Sequence, residues 1–396
     1  PWFMPQKLKF DAQIKILFIL IQFSLSSINA QNTTEENIFY FSKVWGFLKY
    51  YHPKVASGAF DWDQHYIEML PDIESVKNKT DFSLVIHQWI KGLGKVPQCS
   101  KCDKLNQKEL FLKKFNLEWL EDQNFFTQEL SEDLLFIEKN RYQGQQHYVR
   151  KKKTGNIEIQ NEPLYNKSFI YPSRKLRLLG LAKFWNTVEY FFPYKYMTDQ
   201  NWDEVFLEML PKISQAKNVT DYHLALLETV VKLDDTHANL YTHTLHDFFG
   251  RKTLPVFVDQ VENKLVVTSI LNDTLARQND LRIGDVIETV NGESIAHIIN
   301  KNFRYAHGSN KQVKSRNFDY LLFNGQSDSV ELIIERKGRN YIKTYGRYSD
   351  SLLNRALVTP WINNQSKMLT EDILYLNMEK LKLEGLKKTI PLLKTS

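Results

Sequence analysis

A histidine with acidic and hydroxyl neighbours is the group of residues in this sequence best suited to chemistry. It lies in Leu233-Asp-Asp-Thr-His-Ala-Asn-Leu240, where Thr236 and His237 follow two carboxylates. Histidine is the natural general base near neutral pH, and a positioned base typically accelerates a reaction by ~10²–10⁴-fold. Such a base needs a nucleophile within hydrogen-bonding distance and a group that fixes its tautomer. His237 is therefore a candidate general base.

Two other interpretations of His237 remain open. It is either a structural histidine near the end of a helix or a metal ligand, together with His243, His246 and Asp234 or Asp235. The His-x₅-His-x₂-His spacing matches no familiar metal-binding helix. In an extended segment His246 also falls on the opposite face from the other two histidines. We therefore expect no metal site and no cofactor.

The segment that carries His237 closes the second copy of an internal repeat. The residues that recur at a constant offset are Trp45 as Trp185, Tyr50 as Tyr190, Pro53 as Pro193, Trp62-Asp63 as Trp202-Asp203, and Glu68-Met-Leu-Pro71 as Glu208-Met-Leu-Pro211. Two copies of one helical unit are predicted, at about residues 36–94 and 176–234. Copy 1 ends in Leu93-Gly-Lys-Val-Pro97, so only copy 2 has the Thr-His pair.

Each copy is predicted to contain three helices that pack around buried tryptophans. The first helix stops near a proline, and the second ends at Glu-Met-Leu-Pro. The third begins at Thr80-Asp81 or Thr220-Asp221, whose side-chain oxygens could cap free backbone N–H groups. Between the copies, residues 103–170 predict a helical stretch and a polar hairpin around Gly155.

After residue 247 the pattern changes to short, β-branched strands bounded by turns. The most distinctive stretch is Leu281-Arg-Ile-Gly-Asp-Val-Ile-Glu-Thr-Val-Asn-Gly292, in which Gly284 and Gly292 suit the positive φ of tight turns. It resembles the central hairpin of a PDZ domain, with a predicted helix from Ser294 to Phe303. The resemblance implies a module that adds an extended peptide to the edge of its sheet.

The PDZ resemblance also implies where a peptide would bind. The edge strand beginning near Leu254 would pair with the peptide, and Leu254, Val256 and Phe257 would line the pocket. Pro255 departs from the usual glycine-rich carboxylate loop because it has no N–H to donate. An internal segment is therefore the expected ligand instead of a free C-terminal carboxylate. A spacer or lid role for the domain is the alternative.

The order of these elements resembles the tail-specific, or C-terminal-processing, serine peptidases, in the tricorn-core-like branch. There, a histidine beside a hydroxyl residue just before the PDZ domain is the general base, which corresponds to His237, with Thr236 orienting or polarising the network. Residues 372–395 resemble the first strand and helix of the catalytic α/β domain. The family's nucleophilic serine lies further into that domain, and no Gly-x-Ser-x-Gly elbow occurs here. The chain is thus expected to be an N-terminal portion that is inactive alone.

Three function classes follow. The resemblance implies a secreted serine-type peptidase that acts on polypeptides. The missing nucleophile favours a non-catalytic peptide-binding or adaptor protein, and the three histidines are the basis for a metal-dependent hydrolase. Whether a peptidase mechanism would be Ser-His or Ser-Lys stays open.

The N-terminus and the charge indicate location and partners. Lysines precede an apolar run, and small residues up to Ala30 offer a cleavage point, which predicts a signal peptide at residues 1–30, with an uncleaved anchor as the alternative. The mature chain is expected in the periplasm or outside the cell, without a stable membrane span. A net charge of +6 is mild, and the basic run at residues 150–153 lies in a predicted turn. We therefore expect a peptide or protein partner and no nucleic acid, with the oligomeric state open.

Cys99 and Cys102 occur as Cys-Ser-Lys-Cys. In an exported chain this spacing favours a small disulfide, while a redox site or half of a zinc ribbon stays open. Altogether, the 396-residue sequence predicts an α+β multidomain fold. Its predicted domains after the signal peptide are helical copy 1 (31–102), a helix and hairpin (103–175), helical copy 2 (176–247), a PDZ-like domain (248–350), and a linker with the start of a peptidase domain (351–396).

Overall fold

The computed structural model describes residues 32–102, 115–165, 170–262, 264–354, 366–378 and 381–393. The chain divides into two compact units between Leu240 and Tyr241, one mainly helical and one built on a sheet, in agreement with the predicted α+β class. The predicted signal peptide lies outside the described residues. Within the described ranges, no helix combines the length and hydropathy needed to cross a membrane.

The first unit contains the two copies of the repeat. Its elements are α1 (Thr34–Tyr51), α2 (Pro53–Ala56), α3 (Trp62–Ser75), α4 (Lys79–Gly92), α5 (Gln128–Lys139), β1 (Val149–Lys151), β2 (Ile157–Ile159), α6 (Arg174–Phe191), α7 (Trp202–Ser214) and α8 (Val219–Val231). Helices α1, α3 and α4 are the three predicted helices of copy 1, and α6, α7 and α8 are those of copy 2. Strands β1 and β2 form the predicted hairpin around Gly155.

The predicted ends of the second helices are wrong. Helices α3 and α7 do not end at Pro71 and Pro211 but continue for about one more turn. Proline removes one helical hydrogen bond, which leaves a carbonyl four residues earlier without its usual donor. In α3 that carbonyl belongs to Ile67, and Lys175 Nζ lies 3.4 Å from it as a replacement donor. Tertiary contacts therefore outweigh the local signal to stop.

The predicted caps of the third helices are also wrong. The N-cap residues are Asn78 and Asn218, and the Thr-Asp pairs lie inside the first turn of α4 and α8. Asn78 Oδ1 accepts from the Asp81 N–H at 2.9 Å, and Asn218 Oδ1 accepts from the Asp221 N–H at 2.9 Å. Asparagine is as good a cap as aspartate, so sequence alone did not distinguish the two positions.

Two pairs of tryptophans form the centre of the core, as predicted, and each indole N–H donates a hydrogen bond. Trp45 Nε1 donates to the Trp62 carbonyl at 2.9 Å, and Trp62 Nε1 donates back to the Trp45 carbonyl at 3.0 Å. Trp185 and Trp202 exchange the same bonds at 2.8 and 3.1 Å. Because a buried indole N–H needs an acceptor, each pair fixes the first helix of its copy against the start of the second.

The two copies meet where α1 crosses α6. Gly46 and Asn186, which are equivalent positions of the repeat, face one another there. The Asn186 amide donates to the carbonyls of Ser42 and Ala182, each at 2.9 Å. A Cβ atom on Gly46 would lie only 1.7 Å from Asn186 Oδ1. Glycine at position 46 therefore makes room for the amide that joins the two helices.

Reciprocal ion pairs connect each copy to the other. Lys43 Nζ of copy 1 lies 3.0 Å from Asp203 Oδ2 of copy 2, and the equivalent Lys183 Nζ lies 2.7 Å from Asp63 Oδ2. Lys43 and Asp63 are buried. Removing one partner of a buried pair costs far more than the pair contributes, so these contacts restrict how the copies can pack.

Cys99 and Cys102 form a disulfide, as the sequence predicted. The Cys99 N–H donates to Asn140 Oδ1 at 2.8 Å, and Asn140 is the C-cap of α5. The disulfide therefore stabilises the loop after copy 1 against α5.

The second unit is built on an antiparallel sheet. Its elements are α9 (His243–Phe249), β3 (Lys252–Thr253), β4 (Val256–Val261), β5 (Lys264–Ile270), α10 (Asp273–Gln278), β6 (Val286–Val290), β7 (Glu293–Ser294), α11 (Ile295–Asn302), α12 (Lys311–Arg316), α13 (Asp319–Phe323), β8 (Ser329–Arg336), β9 (Arg339–Gly346) and β10 (Tyr348–Ser349). The strand order of the sheet is β4-β5-β6-β8-β9, and β7 pairs with β6. Strand β4 is thus one edge of this sheet.

In the second unit, the stretch at residues 281–292 forms two tight turns on either side of strand β6. Gly284 and Asn291 have φ values of +89° and +49°, as its two turns require. Asp285 is buried, and its oxygens accept from Arg336 Nε at 2.6 Å and Nη2 at 2.8 Å, and from the Arg282 N–H at 2.8 Å. The motif therefore joins the turn before β6 to the end of β8.

Near the C-terminus, β11 (Ser366–Met368) pairs antiparallel with β12 (Leu374–Leu376), and α14 (Leu383–Leu393) follows. A strand and a helix thus occur where the sequence predicted them.

Substituting Gly46 tests the crossing of α1 and α6. We expect Gly46→Ala to lower the free energy of unfolding by about 1–3 kcal/mol, because the new methyl group displaces Asn186. The matched control is Gly180→Ala in α6, where the nearest atom to a Cβ lies 3.9 Å away. That change should be neutral or stabilise by up to about 1 kcal/mol. Urea unfolding compares the two variants, and equal stability would contradict the proposed close approach.

Candidate functional site

The candidate histidine lies in a turn at the end of α8. The helix ends at Val231, and the N–H groups of Leu233 and Asp234 donate to the carbonyls of Val230 and Val231, each at 3.2 Å. Asp234 then has a φ of +49°, in the left-handed region, so the helix does not continue through this residue. One further turn follows, closed by a bond from the Ala238 N–H to the Asp235 carbonyl at 3.1 Å.

Asp235 holds His237 by two contacts with one oxygen. The His237 N–H donates to Asp235 Oδ1 at 2.7 Å, and His237 Nδ1 lies 3.1 Å from the same oxygen. An ionised carboxylate only accepts hydrogen bonds, so Nδ1 carries the hydrogen in this contact. In a neutral imidazole with that tautomer, the other ring nitrogen, Nε2, has the lone pair. The side chain of His237 is 97% exposed, so this nitrogen is accessible to a substrate.

His52 shows what a packed histidine looks like in the same unit. Its ring is completely buried after α1, and burial lowers its pKa to about 4 because the charged form is poorly solvated there. His237 has the opposite environment, since its ring lies outside the helical packing. The geometry of His237 is thus that of an accessible base held by a carboxylate, with Thr236 half-buried beside it.

The loop between α6 and α7 supports this turn, and no sequence pattern predicted that contact. The Asp199 N–H donates to Asp234 Oδ2 at 2.7 Å. Lys232 Nζ, at the C-cap of α8, donates to Gln200 Oε1 at 2.9 Å and to Glu208 Oε2 at 2.8 Å. These contacts join residues more than 20 positions apart in the sequence. They form because α7 packs against α8.

Glu208 remains charged in this network. Burial alone would raise its pKa, but hydrogen bonds from Lys212, Lys232 and Gln200 outweigh burial and lower the pKa to about 2. Glu208 therefore holds Lys232 across the neutral pH range.

The other two histidines considered as metal ligands belong to the second unit, in which His243 begins α9 and His246 lies one turn later. In the part of the chain that the structure describes, no group of three or more His, Cys, Asp or Glu side chains is arranged to hold a metal ion.

The three residues predicted to line a peptide pocket differ in how far they are buried. Leu254 and Val256 are only 1% and 6% exposed, because they face the core of the second unit. Phe257 is half-buried. Further along β4, Asp259 is half-buried and Gln260 is exposed, so the accessible part of this strand is its C-terminal half.

Two adjoining cavities, of about 740 and 520 Å³, lie beside this half of β4. They share the lining residues Gln260, Lys311 and Ser315. The apolar residues that border the larger cavity come from the sheet, from α11 and from the position after α11, namely Leu265, Val286, Ile287, Ile295, Ile299 and Phe303. The smaller is bordered by charged and polar side chains, namely Asp259, Glu262, Gln312 and Arg316. We call the two together the β4 groove.

Comparison with known proteins gives limited similarity. No family model matches the chain, and no curated protein matches it. Among solved structures, mature CPAF complexed with lactacystin is similar with a TM-score of 0.35 and 14% identity, over 44% of this chain and 35% of that one. The photosystem II D1 C-terminal processing protease is similar with a TM-score of 0.24 and 16% identity, over 42% of each chain. The chain thus spans less than half of either structure.

Removing the Asp235 carboxylate should release the imidazole. In the unsubstituted chain, we expect ¹⁵N spectra of His237 to show predominantly the Nδ1–H tautomer, because Asp235 accepts a hydrogen bond from Nδ1–H. Asp235→Ala should give averaged shifts of a mixture of tautomers, while Asp235→Asn, which keeps an acceptor oxygen, should resemble the wild type. His237→Gln assigns the signals. Identical spectra for wild type and Asp235→Ala would show that the contact does not fix the ring.

Proposed function

We propose that this chain belongs to a serine-type peptidase that cleaves polypeptides, with His237 as its general base. The observation that carries the proposal is the held but accessible imidazole, bonded through Nδ1 to Asp235 and exposed at Nε2. A base that transfers protons to and from a substrate needs this combination of a fixed tautomer and a reachable lone pair. The order of motifs described above supports the tail-specific branch with a PDZ-like module, exported by residues 1–30.

In the proposed reaction, His237 Nε2 removes the proton from a serine hydroxyl as the oxygen attacks the carbonyl carbon of a peptide bond. The imidazolium then gives that proton to the leaving amine as the C–N bond breaks, and water releases the acyl group by the same two transfers. Asp235 stabilises the imidazolium through Nδ1–H, and Thr236 polarises the neighbouring network. The serine is the one that the family resemblance implies, further along the protein than Ser396.

The β4 groove is proposed to bind the substrate as an added strand. Strand β4 is an edge of its sheet, so an extended peptide could pair with its backbone. The apolar cavity suits a large aliphatic or aromatic side chain, and the charged cavity suits polar neighbours. Pro255, which lacks an N–H, argues for internal segments over a free C-terminal carboxylate.

A non-catalytic peptide-binding protein is the second candidate, because the β4 groove requires no residue of the His237 turn. The two experiments below separate the candidates, since one measures binding and the other measures turnover.

Filling the β4 groove should weaken peptide binding. Ser315 borders both cavities, so Ser315→Trp is expected to weaken binding of a fluorescein-labelled, valine-rich extended peptide by about tenfold or more. Fluorescence anisotropy measures the affinity. The matched control, Thr344→Trp, lies exposed on β9 at the opposite edge and should bind as the wild type does.

Free-acid and amidated forms of the same peptide should bind equally, because Pro255 offers no N–H to a carboxylate. A strong preference for the free acid would contradict internal-segment binding. Equal losses in Ser315→Trp and Thr344→Trp would contradict the location of the groove.

Replacing His237 should abolish turnover in the full-length protein without unfolding it. We expect His237→Gln to lower kcat for a casein substrate by about 10²–10⁴-fold, because the base is lost. The melting temperature should not change, since the ring is 97% exposed. His297→Gln, an exposed histidine of the second unit, is the control and should retain activity. Unchanged turnover in His237→Gln would favour a Ser-Lys mechanism, and no turnover in the wild type would favour the peptide-binding candidate.

A further inference from the structure

The turn at the end of α8, at Leu233 and Asp234, has a counterpart at the end of α4 in copy 1, which serves as an internal reference. The next turn, which carries His237, has no equivalent hydrogen bond at residues 95–98. The Gly94 N–H donates to the Lys91 carbonyl at 3.1 Å, and the equivalent Asp234 N–H donates to the Val231 carbonyl at 3.2 Å. Both residues have a positive φ, +94° for Gly94 and +49° for Asp234. Copy 2 therefore has an aspartate at a position whose conformation suits the glycine of copy 1.

The Asp234 carboxylate makes a contact that glycine cannot make. Its Oδ2 accepts from the Asp199 N–H at 2.7 Å, which joins the turn to the loop between α6 and α7. In copy 1 the equivalent N–H belongs to Ala59 and donates to the Lys54 carbonyl at 3.0 Å. A bond from this loop N–H to a side chain of the turn is thus present in the copy that carries the histidine and not at the equivalent position of copy 1.

We infer that Asp234 is a positioning residue for His237 and that it acts through the Asp199 N–H. The inference rests on the proposed function, in which His237 is the base. Asp234 fixes the start of the turn, and the next residue, Asp235, holds the imidazole through Nδ1. Non-glycine residues held at positive φ concentrate at functional sites, where the surroundings maintain a conformation that the residue alone would not prefer.

A second contact, made by Lys232, confines the effect of losing the Asp234 carboxylate to the turn. Lys232 Nζ donates to Gln200 Oε1 at 2.9 Å, so the loop between α6 and α7 stays attached to the end of α8 whatever residue occupies position 234. Loss of the Asp234 carboxylate therefore frees the segment after it, residues 235–237, while the helices remain in place.

Two variants test the role of Asp234. Asp234→Gly restores the residue of copy 1, which suits the positive φ but cannot reach Asp199, and Asp234→Asn keeps an acceptor oxygen and tolerates the same φ. In this chain, NMR order parameters and ¹⁵N shifts of the His237 ring are the readouts. We expect backbone order parameters at residues 235–237 of about 0.85 in the wild type and in Asp234→Asn, and below about 0.6 in Asp234→Gly. The ring of Asp234→Gly should also show mixed tautomers, at an unchanged unfolding midpoint.

In the full-length protein, Asp234→Gly should lower kcat by up to about 10²-fold with little change in KM, because the base is displaced and binding is not. Asp234→Asn should restore most of that rate. Wild-type order and shifts in Asp234→Gly, or failure of Asp234→Asn to restore them, would overturn the inference. Absence of turnover in every form would instead refute the proposed function, while the NMR measurements would still decide whether Asp234 positions the ring.

Discussion

The helical unit depends on the crossing of α1 and α6, where a single side-chain amide joins the two copies. Gly46 and Asn186 are equivalent positions of the repeat, and so are Ser42 and Ala182, whose carbonyls both accept from Asn186. The local two-fold relation between the copies therefore passes close to this amide. Only one of the two central positions can have a side chain, because a Cβ on Gly46 would collide with Asn186. The two copies therefore differ at the point where they touch, with glycine in α1 and asparagine in α6, and this difference determines how the two helices cross.

The crossing of α1 and α6 also positions the charged side chains that connect the two copies. It brings Lys43 to Asp203 and Lys183 to Asp63, so each copy supplies the partner of a charge in the other. Both aspartates begin the second helices, α3 and α7, which positions those helices against the opposite copy. Helix α8 packs on α7, and the His237 turn follows α8. The geometry of the candidate base is thus a consequence of contacts made far from it in the sequence.

Periodic and repeated features could be predicted from the sequence, because they depend on neighbours along the chain. The three helices of each copy, the hairpin at Gly155 and the disulfide were predicted by their patterns, although the ends of the second helices and the caps of the third were not. Features that depend on distant contacts could not be predicted. The continuation of α3 through Pro71 involves Lys175, and the burial of Val256 depends on which side of β4 meets the core. For the site, His237 followed from its residue type, whereas the Asp199 contact and the β4 groove required the fold.

The comparison of the two turns suggests how chemistry can arise in a repeat at little cost to stability. Copies 1 and 2 share the backbone hydrogen bonds at the end of the third helix, so the first turn after that helix forms with either set of residues. Copy 1 has Gly94 and Pro97 where copy 2 has Asp234 and His237. The cost of an aspartate at positive φ is small and is offset by its charge-assisted bond to the Asp199 N–H. Because His237 is exposed, introducing it disturbs no packing. In copy 2 the shared turn is followed by a second turn, closed by the Ala238 N–H, and this second turn carries the candidate base.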